Sequence, residues 1–554
     1  MGSPVLRVMA LVSVDMLAAY ALWLLMAYLL IVWNLNFTHA AAIINILWGA
    51  RDILLTFMLY IIDTLLGNFW MLFFSSIAYA SGLGFLSMST PSVLAKSAGN
   101  CREDKPECVG EEQKILFFLA LALLAVGMSG QSTSIGGFMQ DQAEETEEEE
   151  TGGGKICLGT CGVILIPIIA IIVIALVKPW SIRFGIPAIC SLMATLAFLS
   201  GCCHYKRVGP QGSLLTCVFR VLIAATSKII YRPPRDSTQL YERHDDGDLV
   251  QHTSVLRCLD KAAIVVPEKP VEEQEKNRWR LCRVSEVEKT KIIIRMIPLW
   301  IPFIVIGLVC SIGNTYFLVQ ANNMKLKLGR IKVPFIILLW FYDNGKSLFS
   351  NLYVVIVSLL GQSRQYGPPF GVAASMVLQV LCCITAAKVE DRRLDVVIRH
   401  GLVDKVNETI PMSIFWLLPQ FILLGAANGV LENSASQFFT EQAPPSMKTY
   451  LVLLTNGVFG LGTIASVVSV YLAEKITGEG GKRSWFGETL NKSRLDNYYW
   501  TLAVMSSVNL VLYILIAVCY WRGRSEEDEE DDEDEDGEAA GAAYQDELQI
   551  EIEL

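Results

Sequence analysis

The run Met9–Trp33, MALVSVDMLAAYALWLLMAYLLIVW, sets the reading of the whole chain. It holds one charge, Asp15, and as a helix it extends about 37 Å, enough to cross ~30 Å of hydrocarbon. It is too long for a signal-peptide core and has no small-residue cleavage pattern, so it is read as a first membrane span. Runs of the same kind recur. The expected spans are 9–33, 40–66, 69–89, 113–137, 156–177 and 181–203, then 291–319, 333–360, 370–388, 409–438, 447–474 and 498–521. In lipid, backbone polar groups must be satisfied within their own element, which makes such runs helices. The fold class is therefore an all-α membrane protein of about twelve transmembrane helices. The layout predicts an N-terminal six-helix half over 1–203, a central loop over 204–290, a C-terminal six-helix half over 291–521 and an acidic tail over 522–554.

Composition agrees. Of 554 residues, 53% are hydrophobic and 18% charged, against about a quarter charged in soluble chains. The net charge of -10 takes its sign from the unbroken acidic run Glu526–Asp536, and a second acidic cluster spans Glu144–Glu150. Like charges repel and hydrate, so both are read as solvated segments. No basic and aromatic interleaving suggests nucleic-acid binding. The five histidines are scattered, and no HExxH, GxSxG or Walker loop stands in a credible context, which argues against an enzyme, a metal site or a bound cofactor. Of the fourteen cysteines, Cys101 and Cys108 share a polar loop, where a short disulfide forms if that loop faces an oxidising side.

The central loop is rich in bases, including Lys206, Arg207, Arg232, Arg235, Arg257, Lys261 and Arg278. The positive-inside rule then makes the loop and both termini cytoplasmic. Three glycosylation sequons, at Asn36, Asn407 and Asn491, fall in loops that this topology places outside. Gly425, Gly429, Gly457, Gly460 and Gly462 are placed to let helices approach closely.

Ionisable groups inside a membrane are costly, so each is a site candidate. The first half offers Asp15, Arg51, Asp52 and Asp63, the second Asp343, Lys346, Glu432 and Glu441. Asp343 and Lys346 are three apart on one helix face and either neutralise each other or serve transport. Asp15 and Arg51, on successive spans, either pair or leave one free to shuttle protons. Asp63 and Glu441 lie at span ends, as gate or loop-anchoring groups. Neutral cavity candidates are Tyr20, Gln131, Asn314, Gln320 and Asn428, each of which also suits an ordinary interhelical hydrogen bond.

A series of motifs resembles the plant nitrate/peptide transporter family, a branch of the proton-dependent oligopeptide transporters in the major facilitator superfamily. Leu259–Ile264 reads LDKAAI, and Trp279–Cys282 reads WRLC ahead of Val287-Glu288. Phe184–Pro187 reads FGIP, Phe438–Met447 reads FFTEQAPPSM, and Ser493–Trp500 reads SRLDNYYW. The resemblance implies the major facilitator fold, with alternating access around a cavity between two halves. It also implies import of a small solute or anion (nitrate, peptide, hormone or metabolite) driven by a proton gradient, at the plasma membrane or the vacuole.

The departures from that pattern fall on the coupling groups. The family's ExxER on span one is reduced to Asp15, the lysine of its span-four GGxK is absent after Gly130-Gln131-Ser132, and the span-ten Glu is replaced by Asn428. Glu432, one helical turn on, shares that face. Asp15 and Glu432 are therefore the surviving proton-coupling candidates. A proton-independent facilitator and a non-transporting receptor or scaffold remain the alternatives. Truncation after Arg524 is expected to leave tracer uptake near the parent rate at matched surface expression. A large loss would mean that the tail does more than stay hydrated.

Overall fold

The computed structural model describes residues 4–94, 106, 109–143, 177, 179–210, 212–232, 240–242, 253, 255–266, 270–322, 324–328, 331–332, 337–359, 366–405, 408–479 and 484–522. The expected span 156–177 (but for its last residue), Cys101, Cys108, Asn407, the acidic loop and the acidic run of the tail lie outside the described residues. The described residues of Met1–Thr216 with Phe303–Ser507 form one compact unit, and those of Cys217–Pro302 with Val508–Leu554 form a second.

The helices of the first half are α1 (Pro4–Trp23), α2 (Leu25–Ile31), α3 (Phe37–Ile61), α4 (Gly67–Met88), α5 (Glu111–Ala143) and α6 (Trp180–Leu199). A shorter α7 (Leu214–Ser227) follows. Then come α8 (Val284–Cys310), α9 (Tyr316–Asn322), α10 (Ile337–Leu359), α11 (Gly367–Arg399), α12 (Leu418–Glu441), α13 (Lys448–Gly478) and α14 (Leu495–Arg522). Among the described residues, nine helical stretches are long and apolar enough to cross a membrane. One of them, Phe37–Met88, runs 52 residues and divides at Gly67, whose φ of +73° suits a residue without Cβ. α10 also has span length, at 23 residues, but carries Asp343 and Lys346. With these divisions the described helices account for every expected span except 156–177.

The boundaries move where polar groups find partners inside the protein. The sequence ends the ninth span at 388, yet α11 continues to Arg399. The extension holds a buried ion pair: the Arg393 guanidinium meets Glu390 through Nε at 2.8 Å and Nη2 at 2.7 Å. Gln320 donates to Glu390 at 2.6 Å, and Arg393 donates to Asn491 Oδ1 at 2.9 Å. Hydropathy ends a span at its first charges, but a satisfied pair lets the helix go on.

In the first unit the helices pack in pairs: α4 on α5 and α6, α10 on α12, α11 on α12, and α3 on α13. The α3–α13 pair joins the two halves. Asn45 donates to Ser466 at 2.9 Å and Thr56 to the Leu453 carbonyl at 3.1 Å, so the helices run antiparallel and close. A Cβ on Gly460 would meet Asp52 Cβ and the Gly49 carbonyl, and one on Gly429 would strike the backbone at Lys346. The glycines do allow close approach.

In the second unit the LDKAAI stretch is a structural anchor. Lys228 donates to the carbonyls of Ala262 (3.1 Å) and Ile264 (2.6 Å), and burial pushes its ammonium down to about 8. Asp260 meets Lys291 at 2.7 Å, and Lys291 also meets Glu288 at 2.7 Å. The buried carboxylates and ammonium fix this loop to the first turns of α8.

Replacing Gly429 by Leu is expected to force α10 off α12 at a cost of ~1–3 kcal/mol. Thermal denaturation of the purified protein checks this, and an unchanged melting temperature would mean the two backbones do not need the contact.

Candidate functional site

Two contiguous cavities lie in the first unit. The larger, about 470 Å3, is walled by Arg51 and Asp52 of α3, Ser132 of α5, Lys346 of α10, Glu432 of α12 and Asn456 of α13, with apolar neighbours. The smaller, about 120 Å3, shares Asp52, Tyr342, Asn428 and Phe459 with it and adds Asn45, Trp48 and Asn314.

The charges on these walls are paired. Arg51 Nη1 lies 2.6 Å from Asp52 Oδ1, and Nη2 donates to Ser132 at 3.1 Å. Lys346 Nζ lies 2.6 Å from Glu432 Oε2. This corrects the pairing that the three-residue spacing suggests, because Asp343 instead accepts from the Tyr20 hydroxyl at 2.7 Å. The cause is the α12 glycines. Gly425 and Gly429 bring the α10 backbone at Tyr342 and Lys346 against α12, so Lys346 reaches Glu432 across the seam instead of folding back along its own helix.

Asn428 and Glu432 both line the larger cavity, one turn apart on α12. Asn428 donates to the Tyr342 hydroxyl at 2.7 Å and accepts from Cys310 Sγ at 2.9 Å. Asp15 does not line either cavity. It sits half-buried on α1 beside the Tyr79 hydroxyl, within electrostatic reach of Arg51. The expected Asp15–Arg51 link is therefore one of field, and the direct partner of Arg51 is Asp52. Gln131 is buried and donates to Ser76 at 3.0 Å. Gln320 lies away from the cavity walls, in the Glu390–Arg393 network, where it also accepts from Gln420 at 3.0 Å.

Asp63 anchors rather than lines. Its carboxylate accepts from Tyr450 of α13, whose hydroxyl oxygen lies 3.0 Å from the Ser213 hydroxyl and accepts from it. Of the sequons, Asn36 caps α3 by accepting from the Thr38 amide. Asn491 is buried and donates to the Leu402 carbonyl at 3.1 Å. A glycan on its Nδ2 requires this buried side chain to move out to the surface.

Sequence reasoning missed Tyr342, Cys310 and the Glu390–Arg393 pair. Tyr342 was within reach of it, since it precedes Lys346 by one helical turn and shares its face. Glu390 and Arg393 share a helix face at a spacing of three, but past the point where hydropathy ends the ninth span, and Cys310 carries no signal.

Tyr20→Phe removes a hydrogen bond that joins α1 to α10. Such bonds in membranes contribute ~0.6 kcal/mol on average, about a threefold change in a two-state population. Spin-label distances between the halves are expected to shift towards separation, and an unchanged distribution would show that this bond is no latch.

A sequence profile described as the POT family matches residues 69–486. Protein NRT1/ PTR FAMILY 5.5 of Arabidopsis thaliana is 40% identical over 511 residues, covering 91% of this chain and 94% of that protein. Protein NRT1/ PTR FAMILY 8.1 of the same plant is 30% identical over 482 residues, with 83% of each chain covered. Among solved structures, an auto-inhibited POT family peptide transporter aligns with a TM-score of 0.62 at 16% identity, covering 93% of this chain and 97% of its own. A POT family transporter in complex with 5-aminolevulinic acid aligns with a TM-score of 0.58 at 11% identity, covering 93% and 96%. These structural likenesses confirm the major facilitator fold.

Proposed function

The chain belongs to the POT family of transporters, and on that premise we propose that it moves a small solute with an anionic group together with protons, taking the anion at Lys346 and the proton at Glu432. The observation that carries this reading is the Lys346–Glu432 contact on the wall of the larger cavity. The two side chains are 39% and 67% exposed, and ion pairs so open to water contribute only ~0–1 kcal/mol. An anionic group entering the cavity therefore competes for the ammonium at little cost. Once the ammonium is displaced, the Glu432 carboxylate is left open to the cavity as the acceptor for the co-transported proton. Anion binding and proton binding then assist each other, and that mutual assistance is reciprocal.

The remaining walls refine the solute. A cavity of about 470 Å3 falls in the ~300–1,000 Å3 range of small-molecule sites, which admits nitrate, a short peptide or a hormone. Asp52 offers a partner for a cationic group on the same solute, and Asn428, Tyr342 and Asn314 offer neutral hydrogen bonds. Asp15 acts from behind, through the field it shares with Arg51. The basic central loop supports cytoplasmic termini, in either the plasma membrane or the vacuolar membrane. A proton-independent facilitator is the second reading, favoured by the missing Glu and Arg on span one.

The test is voltage clamp with parallel tracer uptake in oocytes, over nitrate, dipeptides and plant hormones at acidic and neutral pH. Inward current that grows with acidity is expected. Glu432→Gln should keep uptake but lose its acid stimulation, and Asp15→Asn should weaken that stimulation. Lys346→Ala should raise KM roughly tenfold or more, since a charged hydrogen bond contributes about 1.5–3 kcal/mol. Acid-stimulated uptake that survives Glu432→Gln unchanged would remove Glu432 from the coupling step.

A further inference from the structure

α7 is apolar on two faces, and only one of them is covered by protein. Its inner face is Cys217, Val221, Ala224 and Ala225, packed against Val284, Val287 and Ile294 of α8. Its outer face, with the turn that follows, exposes Phe219, Leu222, Ile223, Ile229, Ile230 and Tyr231, with Phe219 at 60% and Ile230 at 92%. The charges of this segment turn away from that face: Arg220 reaches Glu286 at 3.5 Å, and Lys228 is buried against the carbonyls of the LDKAAI stretch. Two of its hydroxyls bond carbonyls of the helix itself, Thr226 to Leu222 and Ile223 and Ser227 to Ala224. The end of the segment is capped as well, because Lys261 Nζ donates to the Ile229 carbonyl at 2.8 Å. A ridge with no outward charge and internally bonded hydroxyls is built for a solvent that offers no hydrogen bonds.

Length and level identify that solvent. Fourteen residues make a helix of about 21 Å, too short for a ~30 Å core. The inner face packs on the opening turns of α8, and the exposed Ile297 and Ile301 begin on α8 within a turn of Ile294. α7 thus lies at the depth where α8 passes from water into hydrocarbon. Lys261 beside Ile229, and the exposed Arg232 just beyond, add cations at the ridge's edge, where anionic lipid headgroups are their natural counterpart.

We infer that α7 and residues 228–232 form an interfacial anchor, its outer ridge seated among lipid acyl chains and its basic edge on anionic headgroups. The inference is independent of the solute and of proton coupling. It is tested by placing the photocrosslinker p-benzoylphenylalanine at Ile223, at Ile230 or at the exposed polar Glu273, in the full chain held in phosphatidylcholine/phosphatidylserine nanodiscs. Irradiation and mass spectrometry are expected to show lipid adducts at 223 and 230 and none at 273. Cross-linked pairs of chains, adducts within the chain, or lipid adducts equal at all three positions would overturn the anchor. If the bulky probe at 223 prevents folding, position 230, almost fully exposed, decides alone.

Discussion

A charge in a low-dielectric bundle needs a partner, and the arrangement of partners here follows a division between the halves. The ion pairs on the cavity walls each stay within one half: Arg51 with Asp52 on α3, and Lys346 with Glu432 between α10 and α12. Among the described residues, polar side-chain contacts that cross between halves include the hydrogen bonds of Tyr20 to Asp343, Tyr450 to Asp63, Asn45 to Ser466, and Thr56 to the Leu453 carbonyl. Separating a buried ion pair costs ~3–5 kcal/mol because it strands a charge, whereas an interhelical hydrogen bond in a membrane contributes ~0.6 kcal/mol. A transporter of this fold must part its halves once per cycle. The less exposed Arg51–Asp52 pair travels intact with its own half, the open Lys346–Glu432 pair lies within the other half, and the contacts that break between halves are hydrogen bonds.

That division depends on how closely backbones approach. Gly425 and Gly429 let α10 lie against α12, and Gly49 and Gly460 do the same for α3 and α13. The first contact sets which carboxylate Lys346 can reach. The second brings Asn45 to Ser466 and Thr56 to the Leu453 carbonyl across the seam between halves, with Asp52 beside Gly460. Small residues therefore act on electrostatics indirectly, by fixing the distances at which charges meet.

Much of this was legible in the sequence. The order of the spans within the described residues followed from apolar runs, because the cost of an unsatisfied backbone in lipid leaves few alternatives to a helix. The ionisable residues followed from their rarity in those runs. Their partners were not legible, since spacing along one helix ranks Asp343 with Lys346 while the real contact depends on a neighbouring helix. Gln320 was misplaced for a related reason. A polar residue in a span reads alike whether it faces a cavity or a buried Arg393–Glu390 pair, and that pair lies beyond the point where hydropathy ends the span. Asn491 shows the same limit from the other side, as a loop sequon whose amide is consumed by that network.

The coupling groups that the family resemblance leads one to expect on spans one and four are missing, yet the cavity is not electrically empty. Arg51 and Lys346 supply two cations, and Asp52 and Glu432 two anions, on helices α3, α10 and α12. What a solute meets is a field and a set of donors at given positions, and it has no means of sensing which helix provides them. A cation moved to a neighbouring span can meet the same anionic group if the cavity brings it to the same wall. The partner of that cation must move with it, or burial would leave it uncompensated. Asp52 follows Arg51 by one residue, and Glu432 faces Lys346 across a glycine-lined seam. Each cation on the wall thus has its own carboxylate, and Lys346–Glu432 is the more exposed of the two pairs.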